Sequence, residues 1–416
     1  MLWTGLPGME RYAMKIMLLT AGSRGDVEPF LALARAACLA GHQVRTAVPD
    51  NSGADGAGLD IVSLHIDFAQ LVSEQGVSPR AAASAFRSVI RPAMATLFSA
   101  AVEHITAFAP DIVVYHPKVL TAPAAAYSLG IPSVLVETVP SLTPTREFPA
   151  PFLTTRNLGP FNRSTYRAAH LAALMFRREL ARALQALPPG PVPKAAALKM
   201  RHQATLIPAS PRLLPRPADW PSSVHLTGHW PATPIAGQPD AELEDFTRGG
   251  DFVYAGFGSM KAGDAASRGE AIITAARRNG LKTLVSEGWG GISVPPASRG
   301  ADVLVRRSVE HHLVMPRAAA AIHHGGAGTV HAAARAGIPS VVVPFIADQP
   351  FWGHLLNRAG LAPEPVPYRK ITADRLSHAI AQTQELRGRA AETGAQIRQE
   401  DGTAAALGVL ETLAVS

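Results

Sequence analysis

The chain has 416 residues, of which 47% are hydrophobic and 17% are charged, and its formal net charge is +7. This composition excludes a disordered chain or a coiled coil, and the length predicts two domains. The positive charge suits an acidic ligand, but because lysine and arginine form no local run, we expect no nucleic-acid partner.

The sequence lacks the marks of export and of membrane insertion. A single cysteine, Cys38, allows no intrachain disulfide, which fits a reducing cytoplasm, and we interpret it as a small buried residue. No run of 18 apolar residues exists, so no transmembrane helix is predicted. Residues 1–13 do not resemble a signal peptide, and we expect either a disordered leader or a translation start at Met14. We therefore predict a cytoplasmic protein.

The first clear pattern is a strand, a glycine-containing loop and a helix. Residues 15–20 predict a strand, the loop AGSRGD follows, and a helix is expected from Glu28 until Gly41 ends it. A second strand is predicted over 43–48. This order is typical of a doubly wound α/β domain.

The middle of the chain leaves this regular pattern. A helix broken at Pro92 is predicted over 79–108. Two strands are predicted, over 111–115 and 133–136. Residues 140–163 are rich in proline and predict a loop, and a long amphipathic helix is expected over 166–187. Because binding residues concentrate on loops held by a rigid scaffold, we expect ligand recognition on this excursion.

The second half repeats the strand–loop–helix pattern after a proline-rich region. A short strand is predicted over 224–226 and an interdomain linker over 231–245. Then come a strand over 253–255, the loop GFGSM and a helix through Arg278. We therefore expect a leader over 1–13, an N-terminal domain over 14–230, a linker over 231–245 and a C-terminal domain over 246–416. A long final helix is predicted over 379–413.

The most informative stretch lies within this C-terminal domain. A strand over 318–322 leads into a turn with three glycines, a helix over 329–336 and a second strand over 340–343. The free N–H groups at Gly328 and Thr329, with the positive end of the helix dipole, would point at a phosphate. Asp348 and Gln349 follow the next strand and would hydrogen-bond hydroxyl groups beside the same crevice. Phosphate and polyol together are typical of a nucleotide sugar.

The order HGGAGT, GIP and DQ, beginning at His324, Gly337 and Asp348, resembles the donor-binding signature of nucleotide-sugar glycosyltransferases with the GT-B fold. The resemblance is closest to the branch with sterol glucosyltransferases and actinobacterial antibiotic glycosyltransferases. It implies an α/β protein with two doubly wound, Rossmann-like domains that face each other across a cleft. The N-terminal domain would bind the acceptor, the C-terminal domain would bind the donor, and the last helix would cross back.

Asp26, in GSRGDVEP, is the candidate general base. Glycosyl transfer with inversion needs one group to take a proton from the acceptor hydroxyl, and burial would raise the pKa of Asp26 toward a useful value. The sequence alone also allows an Asp that caps the following helix, and favours that interpretation. The resemblance assigns the base to Asp26, with His116 as a possible partner.

The resemblance also implies a set of donor-binding residues. Ser259 has an alternative interpretation as a helix N-cap, Trp289 as a core residue, and Arg24 as an exposed surface residue. The predicted donor-binding residues are Ser23, Arg24, Ser259, Trp289, Ser308, Val309, His324, Gly326, Ala327, Gly328, Thr329, Asp348 and Gln349.

No metal or other cofactor is expected. An Asp-x-Asp pair is absent, so helix N-termini and loop amides would stabilise the departing diphosphate. A cluster of histidines raises the alternative of a zinc site, but it contains no H-E-x-x-H motif; these residues are His311, His312, His323, His324 and His331.

The sequence therefore predicts an inverting, metal-independent glycosyltransferase. It would move a hexose or deoxyhexose from a UDP- or dTDP-sugar to a hydroxyl of an apolar small molecule, such as an antibiotic aglycone or a sterol. Two alternatives stay open: a nucleotide-sugar epimerase on the same fold, and a non-catalytic auxiliary protein of a transferase.

Overall fold

The computed structural model describes residues 13–73, 84–187, 202–232, 240–258, 260, 263–288 and 290–414. The chain forms two compact units. Unit 1 comprises Met1–Val136, Ala173–Leu206 and Thr403–Ser416, and unit 2 comprises Glu137–Ala172 and Ile207–Gly402. The leader predicted over 1–13 lies outside the described residues except for its last residue. The domain boundaries and the linker at 231–245 stay predictions, since residues 233–239 are also outside.

Unit 1 is built on a parallel sheet. Its strands follow the order β3-β2-β1-β4-β5-β6, and each pairs in parallel with its neighbours. The strands are β1 (Lys15–Leu19), β2 (Gln43–Asp50), β3 (Asp60–Asp67), β4 (Ile112–Tyr115), β5 (Ser133–Val136) and β6 (Ala204–Ile207). β4 and β5 are buried at every residue, as expected for strands covered on both faces.

Unit 2 contains a second parallel sheet, with the order β10-β9-β8-β11-β12. Its strands are β8 (Phe252–Gly256), β9 (Lys282–Ser286), β10 (Val303–Arg306), β11 (Ala320–His323) and β12 (Ser340–Val342). The short strand β7 (Val224–Leu226) precedes them at the position predicted. The prediction of two α/β domains with parallel sheets is confirmed.

Helices connect the strands. In chain order they are α1 (Arg24–Leu39), α2 (Phe68–Ser73), α3 (Arg91–Phe108), α4 (Ala122–Ser128), α5 (Asn162–Thr165), α6 (Arg167–Leu174), α7 (Arg177–Ala183), α8 (Ala241–Arg248), α9 (Ala265–Arg278), α10 (His311–Val314), α11 (Ala327–Ala336), α12 (Gln349–Arg358), α13 (Ala373–Arg398) and α14 (Gly402–Ala414). A π-turn (Phe86–Ile90) leads into α3, near whose start Pro92 lies. Among the residues that the structure describes, every helix is too short or too polar to cross a bilayer.

Two long predicted helices are wrong. The helix expected over 166–187 is divided into α6, α7 and a 3-10 turn (Leu184–Ala186). The ring of Phe176, between α6 and α7, packs 5.5 Å from that of Phe86 and 6.0 Å from that of Phe98, so tertiary packing overrides the local helical pattern.

The final helix expected over 379–413 is also divided, into α13 and α14. At the break Glu400 accepts a hydrogen bond from the Ser210 hydroxyl at 2.7 Å. A Cβ at Gly402 would lie 2.6 Å from the Gly228 carbonyl oxygen, so only glycine fits where α14 begins against this segment. Cys38, predicted to be buried, is exposed.

Candidate active site

Asp26 lies just beyond β1, in the first turn of α1. The helix begins at Arg24, four residues earlier than predicted, with Ser23 as its N-cap. The Ser23 N–H donates to Asp26 Oδ2 at 2.8 Å, and the Thr20 hydroxyl donates to the Asp26 carbonyl oxygen at 2.8 Å. Asp26 therefore does stabilise the start of the helix, which the sequence alone favoured, and its second carboxylate oxygen is left for other partners.

Further partners of both carboxylate oxygens come from the loop after β4, the parallel neighbour of β1. His116 Nε2 lies 3.3 Å from Asp26 Oδ1, and Lys118 Nζ lies 3.2 Å from Asp26 Oδ2. The backbone N–H of Lys118 donates to His116 Nδ1 at 3.2 Å. In the neutral ring the hydrogen is therefore on Nε2, which donates a hydrogen bond to Asp26. The Asp26 side chain remains 21% exposed and is thus open to a small reactant.

The protonation state of Asp26 follows from these contacts. Burial raises the pKa of Asp26, but the Lys118 ammonium, the hydrogen bond with His116 and the Ser23 N–H together hold it well below its ordinary value. Our expectation that burial would leave a raised pKa is therefore wrong for this chain. Burial lowers the pKa of His116, so at neutral pH a carboxylate faces a neutral imidazole and an ammonium group.

Gly22 makes room for this cluster. Its φ is +140°, a conformation that favours glycine, and a Cβ there would lie 2.0 Å from Asp26 Oδ2 and 2.5 Å from Lys118 Nζ. Arg24 is half exposed and forms an ion pair with Glu28 one turn along α1. The Ser23 hydroxyl lies 3.3 Å from Asp26 Oδ2. Donor binding by Ser23 and Arg24 stays a prediction.

In unit 2 the glycine turn connects β11 to α11. Gly325 has a φ of +93°, and a Cβ there would lie 2.9 Å from Val342 Cγ1. Gly326 is the N-cap of α11, and a Cβ there would lie 2.5 Å from His324 Nε2. The helix begins at Ala327, two residues before the predicted start. The glycines thus allow the turn to pack against β12 and the His324 ring.

The N-terminus of α11 has no capping side chain. Asp240, Asp264 and Thr372 accept hydrogen bonds from first-turn N–H groups of α8, α9 and α13. α11 instead follows Gly326, which has no side chain to accept from Ala327, Gly328 or Thr329. The first N–H groups of any helix find no carbonyl acceptor within that helix, and here Gly328 is exposed. An anion would satisfy them.

His324 lies between this turn and the loop after β8. Burial lowers its pKa to about 4, although a hydrogen bond with the Gly256 backbone opposes the shift. A Cβ at Gly258 would lie 3.7 Å from His324 Cε1. The ring is therefore neutral at physiological pH and touches the second glycine loop.

Three of the other histidines of the cluster either have structural partners or are fully buried. His331 stacks on His229 with ring centroids 4.5 Å apart, and its Nδ1 donates to the Ala327 carbonyl oxygen at 2.8 Å. His311 Nε2 lies 3.0 Å from the Tyr254 hydroxyl. His323 is fully buried, and burial lowers its pKa to about 3. Within the described ranges, no group of three or more His, Cys, Asp or Glu side chains is placed to hold a metal ion.

Asp348 and Gln349 lie at the turn into α12. Ala347, just before them, has a φ of +59°, a strained conformation for a residue with a side chain. Asp348 Oδ2 accepts a hydrogen bond from the Trp352 indole at 3.0 Å. Gln349 is 5% exposed, and its Oε1 accepts from the N–H groups of Phe345 and Ile346. Gln349 thus holds this loop in shape, and its contact with a sugar stays a prediction.

Four more predicted donor positions follow β8, β9 and β10 in the sequence. Ser259 and Trp289 lie outside the described residues, but the glycines beside them converge: a Cβ at Gly288 would lie 2.7 Å from the Gly258 carbonyl oxygen. Ser308, after β10, is exposed, and the adjacent Val309 packs against a hydrophobic core. The carboxyl ends of parallel strands meet at one edge, where such sheets bind ligands.

Sequence reasoning missed Lys118 and Gly22. Both belong to short motifs that follow a strand, HPK after β4 and AGS after β1. The available signal was that β1 and β4 would be neighbours in a doubly wound sheet, which brings the loops after them together.

The comparisons with known proteins agree with the fold. The family model of the erythromycin biosynthesis protein CIII-like C-terminal domain matches residues 292–406. O-mycaminosyltylonolide 6-deoxyallosyltransferase of Streptomyces fradiae is 32% identical over 88% of this chain and 89% of its own length. Sterol 3-beta-glucosyltransferase UGT80B1 of Arabidopsis thaliana is 29% identical over 95% of this chain, which spans 67% of that relative's length.

Solved structures also match almost the whole chain. The glycosyltransferase VinC, solved in complex with dTDP, is 21% identical, has a TM-score of 0.66 and is covered over 99% of its length by 96% of this chain. At this identity the likeness establishes the fold alone.

Proposed function

Because the chain belongs to the GT-B glycosyltransferase family that includes the Streptomyces fradiae deoxyallosyltransferase, we propose that it transfers a sugar with inversion from a nucleoside-diphosphate sugar to a hydroxyl of an apolar small molecule. The donor is a UDP- or dTDP-hexose or deoxyhexose. The acceptor is an antibiotic-type or sterol-like aglycone, as the names of the relatives suggest. No metal ion takes part.

The observation that most supports inversion is the ionised Asp26 carboxylate. As the acceptor oxygen attacks the anomeric carbon, its proton passes to Asp26, and the bond from that carbon to the diphosphate oxygen breaks. His116 and Lys118 hold the carboxylate in one orientation. A single displacement of this kind inverts the anomeric carbon.

The uncapped N-terminus of α11 supports binding of the diphosphate. The N–H groups of Ala327, Gly328 and Thr329 and the helix dipole stabilise the negative charge that develops on the leaving group. The neutral His324 ring adds a hydrogen-bonding group beside it. Asp348 accepts from a sugar hydroxyl, and the dTDP bound to VinC is a nucleotide of the proposed class.

A transfer assay tests this proposal. The full chain is incubated with UDP- and dTDP-sugars and a panel of hydroxylated apolar acceptors, and products are followed by mass spectrometry and the anomeric configuration by NMR. We expect a glycoside of inverted configuration and an unchanged rate with EDTA. Loss of transfer with EDTA and its return with Mg²⁺ would show that a cation, rather than the α11 amides, stabilises the diphosphate.

A further inference from the structure

Residues 148–172 of unit 2, the apolar-basic segment, present an unusual surface. Among the described residues, ten large hydrophobic side chains are exposed, and seven of them fall between positions 152 and 175. Those within the segment are Phe152, Leu153, Leu158, Phe161 and Leu171, with exposures of 51%, 55%, 39%, 71% and 64%. Soluble proteins rarely concentrate exposed apolar residues in this way unless they mark an interaction site.

The segment that carries these exposed apolar side chains has an ordered backbone held by hydrogen bonds. Asn162 is fully buried at its centre, accepts from the Leu158 N–H at 2.9 Å and donates to the Arg146 carbonyl oxygen at 2.8 Å. The Ala150 N–H donates to the Thr165 hydroxyl at 2.8 Å. These hydrogen bonds fix the backbone that displays the apolar side chains.

One aromatic residue packs the segment against the rest of unit 2, and a second holds the segment together internally. Phe148 packs against Phe351 and Trp220, with ring centroids 5.2 and 6.3 Å away. Tyr166 is 1% exposed, and its hydroxyl donates to the Phe148 carbonyl oxygen at 3.3 Å. The segment thus buries some aromatic residues for stability and leaves others exposed.

The charges of the segment have one sign. Residues 148–172 contain arginines at 156, 163 and 167 and no Asp or Glu. All three arginines are exposed. Burial raises the pKa of Asp219, but hydrogen bonds from Thr145 and the Arg146 N–H and the nearby charge of Arg163 together lower it. Neither Arg156 nor Arg167 forms an ion pair with any other residue in the described part of the chain.

From this combination we propose that the apolar-basic segment binds the surface of an anionic phospholipid membrane. Large apolar side chains enter the boundary between headgroups and acyl chains, while arginines attract anionic headgroups. A small apolar ligand would instead be enclosed in a concave site, whereas Phe161 is exposed over 71% of its surface. Binding at a membrane would bring the protein to lipophilic molecules dissolved there.

Vesicle co-sedimentation of the full chain tests the proposal without depending on transferase activity. The probes are phosphatidylcholine vesicles and vesicles with about one third phosphatidylglycerol. We expect the protein to sediment with the anionic vesicles and to be released by high salt. Absence of binding, or equal binding to both vesicle types, would overturn the proposal.

Two double variants separate the apolar and basic contributions. Leu153→Ser with Phe161→Ser, and Arg156→Gln with Arg167→Gln, should each weaken binding to anionic vesicles by about tenfold or more. Leu39→Ser is the matched control because Leu39 is 90% exposed and lies on α1, outside the segment.

The variants also identify other occupants. Unchanged vesicle binding by the Leu153→Ser, Phe161→Ser variant would overturn the proposal. If the same variant kept vesicle binding but lost transfer to a dissolved acceptor, the segment would be assigned to acceptor binding instead. A dimer that these substitutions convert to a monomer, with no vesicle binding in either form, would assign the segment to contact between two copies.

Discussion

At the scale of single residues, the basicity of Asp26 is set by an ammonium group from a distant part of the chain. Lys118 is 92 positions away, yet its Nζ lies 3.2 Å from Asp26 Oδ2. A carboxylate held this firmly is fully ionised at physiological pH but is a weak base. In the reaction we propose, the proton from the acceptor would therefore move late, as the negative charge leaves with the diphosphate.

Replacing Asp26 tests its role directly. Asp26→Asn should lower the rate of transfer by roughly 10²- to 10⁴-fold, because the amide cannot accept the hydroxyl proton, while UDP or dTDP binding stays unchanged. Initial rates and calorimetric titration measure the two quantities. Glu28→Gln is the control, since it removes a carboxylate from the same helix. An active Asp26→Asn variant would exclude Asp26 as the base.

The pH dependence of transfer should report on Lys118. In the native protein the Lys118 ammonium keeps the pKa of Asp26 low, so protonation of Asp26 limits activity only in strong acid. Lys118→Met removes the largest contribution that lowers the pKa of Asp26 and leaves only His116 and Ser23 to oppose burial, so the acidic limb of kcat/KM should move to higher pH. Lys118→Arg, which keeps the charge, should leave the limb near its original position. If the pH profile of kcat/KM were the same in both variants, the Lys118 charge would not be what lowers the pKa of Asp26.

At the scale of elements, the turn before α11 combines an uncapped helix with a tightly packed glycine. Gly326→Ala places a Cβ 2.5 Å from His324 Nε2, so the ring must move. We expect UDP or dTDP affinity to fall roughly tenfold, as lost charge-assisted hydrogen bonds imply.

The matched control is Gly388→Ala, in α13. A Cβ at Gly388 meets nothing within 4 Å, so this variant should bind normally and gain about 0.5–1 kcal/mol of stability from its higher helix propensity. Normal nucleotide binding by Gly326→Ala, measured by calorimetry, would mean that the diphosphate does not bind at this turn.

At the scale of the whole molecule, the chain returns to unit 1 at its end. Residues Thr403–Ser416 belong to unit 1, where Leu410 is fully buried and Glu411 lies 3.2 Å from the ring of His42. Leu410→Ala should lower the free energy of unfolding by about 2–5 kcal/mol, because it leaves a cavity in a packed core. Urea unfolding followed by far-UV circular dichroism measures this loss.

Leu39→Ala provides the comparison, since Leu39 is 90% exposed and its truncation should change stability little. If Leu410→Ala were equally mild, the end of the chain would not be part of the unit 1 core.

The sequence by itself determined the features that depend on neighbours along the chain. Apolar runs, glycine turns and helix ends predicted the strand–loop–helix units, including the parallel sheets and the glycine turn before α11. Helix starts were displaced by a few residues where caps such as Ser23 lay within an assumed loop. These features were accessible because their energetics are local.

Only the tertiary structure decided what depends on contacts between distant residues. Lys118 and His116 reversed the expected direction of the Asp26 pKa, and Gln349 proved to brace its own loop. Helices that the pattern had joined are divided at Phe176 and before Gly402, where residues distant in the sequence pack closely. Charge, burial and close packing act through space, and a sequence pattern does not specify which residues meet there.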